Sequence, residues 1–348
     1  MANEIEKVNT IAIASIAKFN GKTDDNMEKI NGAEFTGSVT YRSHQFTSNG
    51  TFEVTSGGSV DVLVVAGGGG GGRSDLSNYT EESGGGGGGG VRTGTFTVSD
   101  STNYTIVVGA GGAEGSSGGL SEVQAIDSGS DFEASGGGRG GHGYSANSGS
   151  SSDKNGVAGG SGGGSGTQGS SNGTAGAGNA GSYSPVEGYA GGVGNGNQAT
   201  GGGGGAGGVA TEEHSGAGTG RGGVGLKNNY IDGEQTSADQ EVYGAGGGGF
   251  IDGPTKGLGN IAHSGGARGS GGATNASGRG GFIYDYVDTA GLRSGSTGLA
   301  NLGGGGGGGD GDFSGAAGGA AGASGVVIIR YIDSAVDASG GTEATYSI

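Results

Sequence analysis

The chain has no cysteine and few apolar residues. Among its 348 residues the absence of cysteine excludes disulfides and thiolate metal sites. Only 30% of the residues are apolar and 6% are aromatic, so an aliphatic core is small and confined to strands. No apolar run approaches the ~20 residues of a transmembrane helix, and the first residues lack the apolar segment of a signal peptide. We therefore expect neither a signal peptide nor membrane insertion.

Positive charge is also scarce. Sixteen basic residues stand against 33 acidic ones, which gives a net charge of −17. Binding to nucleic acid depends on neutralising phosphates, so this charge argues against nucleic acid as a partner. The same negative charge helps to keep a chain of low complexity in solution.

Glycine is abundant, with 99 residues arranged in short runs. The run 67–72 follows an apolar segment, and the run 84–90 leads into Val91–Val98. Each glycine costs an α-helix about 1 kcal/mol relative to alanine, and glycine makes a poor strand. The alternatives are flexible linkers or polyproline-II-like helices that hydrogen-bond side by side. Because strands and mixed loops bracket the runs, we favour ordered polyglycine-II helices.

Short apolar and alternating segments predict β-strands. Phe46, Phe52 and Val54 alternate with polar neighbours, as in half-buried antiparallel strands. The predicted strands lie at 40–46, 50–54, 60–66, 91–98, 104–108, 121–126 and 326–331. The sequence therefore predicts an all-β protein, with a small antiparallel β-sandwich base, a bundle of packed polyglycine-II helices joined by loops, and a short N-terminal repeat segment.

This architecture divides the chain into four parts. They are an attachment or oligomerisation segment at 1–37, a β-sandwich base with the first glycine pair at 38–135, a polyglycine-II bundle with variable loops at 136–325, and a closing strand with a C-terminal tail at 326–348. The boundaries follow the changes in composition.

The first segment contains a repeat of eleven residues. Its pattern is apolar, any residue, lysine, apolar, asparagine, and its copies begin at Ile5, Ile16 and Met27. A period of eleven is typical of a right-handed coiled coil, but glycine follows asparagine in the second and third copies, and Asn-Gly pairs form turns. We predict extended rungs with turns at Asn-Gly, or a small collar against a partner.

No motif indicates catalysis. The segment 109–115 nearly fits Gly-x-Gly-x-x-Gly, but no helix follows it. The four histidines are widely spaced, and their only local cluster, at 212–214, is typical of a solvated loop. The segment 310–312 has two aspartates after a glycine run, but the tandem copies of a calcium-binding repeat are missing. We therefore predict no enzyme activity, no metal site and no cofactor.

Several segments resemble a known family. They are Val-Leu-Val-Val-Ala-Gly at 62–67, Val-Arg-Thr-Gly-Thr-Phe-Thr-Val at 91–98, Tyr-Thr-Ile-Val-Val-Gly-Ala-Gly-Gly at 104–112, and Ser-Gly-Val-Val-Ile-Ile-Arg-Tyr at 324–331. Over roughly 40–332 the chain resembles the glycine-rich proteins of bacteriophage tail fibres. It is similar in character to the distal tail-fibre adhesins of T-even-type phages, in which polyglycine-II helices stack in layers and their loops meet the host receptor. The N-terminal repeat and the tail 333–348 are not part of that pattern.

The resemblance implies a non-enzymatic adhesin in the virion tail fibre, at the extracellular surface. Its loops would bind a host cell-surface glycan or outer-membrane protein, and its N-terminal segment would join other virion fibre proteins. We expect the segments 74–83 and 143–155 at the distal end of the bundle. Tyrosine offers a large contact area at low entropic cost. The candidate receptor-binding residues are Tyr79, Tyr144, Tyr183, Tyr189, Tyr230, Tyr243, Tyr284 and Tyr286.

The alternative is a self-assembling structural subunit of a virion or extracellular fibre. Glycine faces would then pack against other copies in a homo-oligomer, either a trimer or a filament, and the tail 333–348 would be a strand donated to the next subunit. For any single tyrosine, local packing over the end of the bundle is the alternative to receptor contact. The two functions differ in stoichiometry, since an adhesin occurs in a few copies at a fibre tip.

Overall fold

The computed structural model describes residues 39–74, 82–143, 153–168, 171–195, 199–210, 220–233, 241–249, 295–309 and 318–348, together with six two-residue strands before residue 39. In this part of the chain every regular element is a β-strand and every strand pair is antiparallel, so the predicted all-β class is confirmed. The strands are β1 (Lys7–Val8), β2 (Ile11–Ala12), β3 (Lys18–Phe19), β4 (Lys22–Thr23), β5 (Lys29–Ile30), β6 (Ala33–Glu34), β7 (Thr40–Phe46), β8 (Gly50–Ser56), β9 (Gly58–Val65), β10 (Val91–Val98), β11 (Thr102–Val107), β12 (Ser121–Asp127), β13 (Ser130–Ala134), β14 (Thr167–Gln168), β15 (Ser171–Asn172), β16 (Leu226–Asn228), β17 (Glu241–Tyr243), β18 (Val326–Ile332), β19 (Asp337–Ser339) and β20 (Thr342–Ser347).

Two five-stranded sheets pack face to face as a β-sandwich. The strand order is β10-β9-β18-β7-β20 in the first sheet and β13-β12-β11-β8-β19 in the second. Their facing sides share one core, which includes Val62 and Ile329 from the first sheet and Phe52 and Ile106 from the second. Along β8, Phe52 and Val54 are buried while their neighbours are exposed, because successive strand residues face opposite sides. The aliphatic segments therefore form the predicted base.

The strands β9 and β18 are buried on both faces. β18 lies between β9 and β7, so the last apolar run of the sequence returns to the first, as predicted. On the side away from the sandwich core, Leu63, Val65 and Ile328 form a second cluster with Tyr243. A strand covered on both sides has a continuous apolar sequence, which is what β9 and β18 show.

The glycine runs hydrogen-bond to one another through their backbones with a period of three residues. In the run 67–72, residues three apart donate their N–H groups to the same neighbouring segment. The acceptor segments are 116–119 for Gly67 and Gly70, 320–323 for Gly68 and Gly71, and 84–87 for Gly69 and Gly72. The run 84–90 repeats the pattern with three other neighbours. Each of these runs is therefore bonded on three sides at once.

The first two glycine runs lead away from the sheets and back to them. The first run leaves β9 and the second returns to β10. Ala66 donates to Gly90 beside the sheets at 3.0 Å, and Gly72 donates to Gly84 far from them at 3.0 Å. We call the first of these ends the sheet end and the second the distal end.

The two segments predicted to be distal begin at the distal end. Ser74, where the segment 74–83 starts, forms a parallel bridge with Gly143, where the segment 143–155 starts. The two segments therefore leave the bundle side by side. Their inner residues lie outside the described residues.

The C-terminal tail pairs within its own chain. β20 pairs with β7 along its whole length, and β19 pairs with β8. The buried ring of His44 in β7 is hydrogen-bonded to the Gly340 carbonyl and to the Tyr331 hydroxyl, both at 2.7 Å. In this structure the tail therefore completes the two sheets of its own chain.

Three short hairpins precede the sandwich. β1 pairs with β2, β3 with β4, and β5 with β6, and the first strands begin eleven residues apart at Lys7, Lys18 and Lys29. Two residues separate the strands of each hairpin, which is the loop length that Asn-Gly turns favour. The extended rungs predicted from the repeat are confirmed, while the turn residues lie outside the described residues.

Candidate functional site

Side chains of both charges meet at the distal end. Arg73 follows the first glycine run, His142 ends the run that starts at 136, and Glu114 lies in the turn that joins 109–115 to 116–120. The backbone N–H of Arg73 donates to His142 Nδ1 at 2.7 Å, and Arg73 is close enough to act electrostatically on Glu114. We call Arg73, Glu114 and His142 the distal cluster.

The backbone lattice holds His142 in place. Its N–H donates to the Asp153 carbonyl at 2.8 Å, and the next N–H, of Gly143, donates to the Arg73 carbonyl at 2.8 Å. The side chain is 8% exposed, and this burial, with Arg139 and Arg73 acting in the same direction against Asp153, lowers the pKa of His142 to about 4. Because Nδ1 accepts a hydrogen bond, the neutral ring carries its proton on Nε2.

Glu114 lies half-buried on the same side. Burial raises the pKa of its carboxyl group, while Arg73 and the backbone of Gly319 oppose that shift. Gly115, the next residue, donates its N–H to the Gly71 carbonyl at 2.8 Å. This bond fixes the carboxylate beside the end of the first run.

Hydroxyl groups tie the distal ends of several runs together. Ser83 Oγ donates to the Gly309 carbonyl at 3.0 Å and accepts from the Gly309 N–H at 2.8 Å. Ser74 Oγ donates to the same carbonyl at 2.9 Å, and Thr200 Oγ1 donates to the Ser83 carbonyl at 2.9 Å. The segments 75–81, 144–152 and 310–317 therefore join the bundle around one polar patch, beside the distal cluster.

Tyr183 and Tyr189 lie at the sheet end. Tyr183 donates its hydroxyl to Glu133 at 2.7 Å, and the Arg92 guanidinium lies 3.7 Å above its ring. Burial and the hydrogen bond to Glu133 raise the pKa of Tyr183 to about 12. Tyr189 is 39% exposed, and its N–H donates to Gly205 at 3.1 Å. Neither tyrosine is near the distal cluster. These two candidate receptor-binding residues therefore lie apart from the segments 74–83 and 143–155, which begin at the distal end.

Tyr243 is in the core and Tyr230 packs on the base. Tyr243 is 1% exposed within the second apolar cluster, so its selection as a receptor-binding residue was wrong. The sequence placed it in a loop, whereas β17 pairs with β16 and carries it onto the outer side of β9 and β18. The ring of Tyr230 is half-buried, with the Arg330 guanidinium 4.0 Å from it. The remaining candidates, Tyr79, Tyr144, Tyr284 and Tyr286, lie outside the described residues.

The distal cluster was not predicted from the sequence. Arg73 and His142 are 69 positions apart, and histidine spacing indicated no site. One local signal was present, since each residue ends or interrupts a glycine run where a side chain replaces backbone contact. Within the described ranges, no group of three or more histidine, aspartate or glutamate residues could hold a metal ion. The described residues also contain no helix that is long and apolar enough to span a membrane.

Acidification is expected to destabilise the fold. The pKa of an unfolded histidine is about 6.5, whereas burial lowers the pKa of His142 to about 4 and also lowers that of His44. Such a histidine takes up a proton when the protein unfolds. Its contribution to the free energy of unfolding is therefore complete above about pH 6.5 and is lost as the pH falls towards the pKa of the folded state. For His142 the loss is about 3 kcal/mol near pH 4. Urea unfolding at neutral and acidic pH measures this loss of unfolding free energy.

The control for this prediction is His142→Asn. Asparagine retains an acceptor for the Arg73 N–H but does not titrate. All other titrating groups are present in both proteins. The difference between their losses of unfolding free energy on acidification is therefore due to His142. An equal loss of stability in both proteins between neutral pH and pH 4 would contradict the assignment.

Comparison with known proteins identifies a family. A family model described as a glycine-rich domain matches residues 47–332. The match starts directly after β7, ends at the last residue of β18, and includes the glycine runs between them. No curated protein matches the chain. Since the match covers well over half of the sequence, the chain belongs to the glycine-rich domain family.

Proposed function

We propose that this protein is a bacteriophage tail-fibre adhesin that binds a host cell-surface glycan or outer-membrane protein through segments at its distal end. The observation that supports the proposal is that the chain enters the sandwich at the end opposite the distal end. Tyr41 near the start of β7 pairs with Ile332 at the end of β18, whereas Phe46 pairs with Val327 beside the glycine runs. The chain therefore enters the sandwich at Val39, at the pole opposite the distal end. A protein attached at one pole and free at the other suits adhesion.

We further infer that the glycine runs form a polyglycine-II bundle. Its support is the period of three in the hydrogen bonds of 67–72 and 84–90, which is the number of residues per turn in a polyproline-II helix. The lattice is built from backbone groups, which are the same whatever the sequence of the connecting segments. Those segments are therefore free to vary between receptors without disturbing the core.

The distal patch supplies suitable chemistry for recognition. Arg73 is exposed, Glu114 is half-buried, and the half-buried Ser74 directly follows Arg73 at the end of the first run. Guanidinium, carboxylate and hydroxyl groups together offer both donors and acceptors, which the hydroxyl-rich surface of a glycan can use. The bundle thereby holds the connecting segments at the distal end. The N-terminal segment joins the fibre at the opposite pole.

The proposal is tested by binding of the labelled protein to a panel of bacterial strains. Replacing 75–81 and 144–152 together with Gly-Ser sequences of equal length should reduce binding to a susceptible strain by more than about tenfold, the equivalent of 1.4 kcal/mol. The matched control replaces 234–240, between Gly233, which lies beside Tyr346 of β20, and the start of β17, and should leave binding unchanged.

Two results would contradict the adhesin. One is equal binding by the distal and control variants, since recognition would then lie elsewhere on the molecule. The other is the growth of regular filaments by the purified protein in electron microscopy, which would favour a repeating fibre subunit. Particles of a few copies with the expected loss of binding support the adhesin.

A further inference from the structure

A buried histidine connects both sheets at the edge of the sandwich where the C-terminal tail pairs. His44 in β7 is 0% exposed. Its Nδ1 lies 2.7 Å from the carbonyl oxygen of Gly340, in the turn between β19 and β20, and its Nε2 lies 2.7 Å from the hydroxyl of Tyr331 in β18. The ring also packs edge-on against Phe52 in β8, with the ring centroids 5.2 Å apart. One side chain therefore contacts the two sheets and the C-terminal hairpin.

That hairpin is the outermost part of the sandwich. We call residues 337–347, with the strands β19 and β20, the C-terminal strap. β20 is an edge strand of the first sheet and β19 an edge strand of the second. β19 pairs with β8 at three positions with a register shift among them, and five of the six residues of β20 are exposed. Since regions with few buried contacts open locally at the lowest cost, the strap is the neighbour of His44 that opens most readily.

The hydrogen bonds of His44 determine which nitrogen carries the proton. A carbonyl oxygen only accepts hydrogen bonds, so Nδ1 is protonated and donates to Gly340, while Nε2 accepts from the Tyr331 hydroxyl. A second proton, on Nε2, would deprive that hydroxyl of its acceptor. It would also place a positive charge in a site that is closed to water. The neutral ring therefore fits the closed strap, and the charged ring does not.

The charged groups around His44 act in opposite directions. Burial is the largest effect and lowers the pKa of His44, whereas the hydrogen bond to the backbone and Glu343, with a carboxylate oxygen 3.8 Å from Nδ1, oppose that shift. Arg42 in the same strand lowers the pKa further. Its guanidinium also bonds to Asp333 at 2.6 Å and to Glu343 at 2.9 Å. Burial raises the pKa of Tyr331 to about 12, so its hydroxyl stays neutral in acid.

We propose that the C-terminal strap is a pH-sensitive switch, which His44 holds closed while its ring is neutral and opens when the ring takes up a second proton. Opening uncovers β7 and β8, which then become edge strands of their sheets. The family match begins after His44 and ends before the strap, so the switch is an addition to the glycine-rich domain. The inference does not rest on the proposed adhesin function, because it concerns only how the strap is held.

The direction of the pH dependence follows from burial. An open strap exposes His44 to water, where the pKa of histidine is about 6.5, and the closed strap lowers that pKa. Closure is therefore favoured fully above about pH 6.5 and weakens as the pH falls below that value. At about pH 5.5 the ratio of open to closed strap rises by up to about tenfold, a limit reached when the closed form takes up no proton.

Thiol labelling of the full chain tests the proposal. The natural chain has no cysteine, so a single introduced thiol reports on one position. Ala338 in β19 and Ala134 in β13 belong to the same core and are 8% and 0% exposed. Labelling rates are divided by those of the urea-unfolded protein at the same pH, because only the thiolate reacts. Between about pH 7.5 and about pH 5.5 the rate should rise several-fold in Ala338→Cys and stay unchanged in Ala134→Cys.

Substitution of the histidine tests the cause. His44→Gln keeps a donor and an acceptor but does not titrate, so the rise in labelling of Ala338→Cys in acid should disappear. The matched control is His142→Asn, which removes the buried histidine of the distal cluster and should retain that rise. Hydrogen exchange of the natural chain needs no substitution. In acid it should show a loss of backbone protection in β20 that is several-fold larger than the loss in β12.

Three results would overturn the proposal. Equal acceleration of labelling at both thiols, or equal loss of protection in β20 and β12, shows that the sandwich opens as a whole. An undiminished rise in His44→Gln assigns the pH dependence to another group. Unchanged labelling and exchange of the strap in acid show that it stays closed. Hydrogen exchange decides the matter if His44→Gln does not fold, and no outcome depends on cell binding, so the adhesin is tested separately.

Discussion

Gly86→Ala is expected to leave the protein unfolded or barely stable. Gly86 lies in the run 84–90 and donates its N–H to Gly306 at 2.9 Å. A Cβ at this position would lie well inside 3.0 Å of the Gly69 carbonyl, which is backbone and has no side chain to rotate away. The run must therefore move, and it cannot do so without stretching bonds to three neighbours.

The expected size follows from these contacts. Overpacking a close-packed site costs about 1–3 kcal/mol, and each backbone hydrogen bond that is weakened adds about 1 kcal/mol. A loss of about 4 kcal/mol or more is a large fraction of the stability of an ordinary domain, which is about 5–15 kcal/mol, and removes most of it at the lower end of that range. Soluble yield and urea unfolding followed by circular dichroism measure the effect.

Gly208→Ala is the matched control. Gly208 also lies among the glycine runs, but the nearest atom to its added Cβ is a methyl group of Val224 at 3.2 Å, which can shift. We expect a loss of less than about 1 kcal/mol. Similar stability of the two variants would show that the runs are not packed through their backbones as described.

The second large effect is expected from Glu187→Ala. Glu187 is 0% exposed, and its two carboxylate oxygens accept the N–H groups of Ser135 at 2.7 Å and Gly181 at 3.0 Å. Its carbonyl accepts the N–H of Val91 at 2.9 Å. One residue thus connects the end of β13, the start of β10 and the loop that contains Tyr183. Alanine leaves two half-buried N–H groups without these acceptors.

We expect this substitution to lower the free energy of unfolding by about 2–4 kcal/mol, since an unsatisfied donor costs about 1–3 kcal/mol when it is buried and less when it is half-buried, as these two are. Glu187→Gln keeps one acceptor oxygen and should lose less. The control is Val186→Ser, one residue away and 45% exposed, which should change stability by no more than about 0.5 kcal/mol. A loss for Glu187→Ala no larger than that of the control would contradict the role assigned to the carboxylate.

The strands of the sandwich centre and the edge strand β10 were predictable from sequence, whereas the other three edge strands, β13, β19 and β20, were not. β9 and β18 are continuous apolar runs, and β8 alternates, so each pattern indicates its environment. β20 is polar and mostly exposed, and β13 has one large apolar residue, Phe132. Edge strands of this kind are held by backbone pairing to a sheet that is already present. Their side chains therefore give little signal.

The distal cluster required the fold for a different reason. Arg73, Glu114 and His142 come from three separate runs, and hydrogen bonds between glycine backbones bring them together. Glycine has no side chain, so the sequence of a glycine run does not indicate which other runs it packs against. The same limit explains the error at Tyr243, whose burial depends on which strands β17 covers.

The sequence by itself determined the kinds of element in this protein and their period. Apolar runs and apolar alternation specified the central strands, glycine excluded α-helices from the runs, and the repeat of eleven residues set the spacing of the hairpins. The tertiary structure decided which runs are neighbours, which side chains meet at the distal end, and where the tail pairs. The physical reason is that side-chain patterns encode burial locally, whereas backbone hydrogen bonds between glycines are alike and are selected only when the whole bundle is assembled.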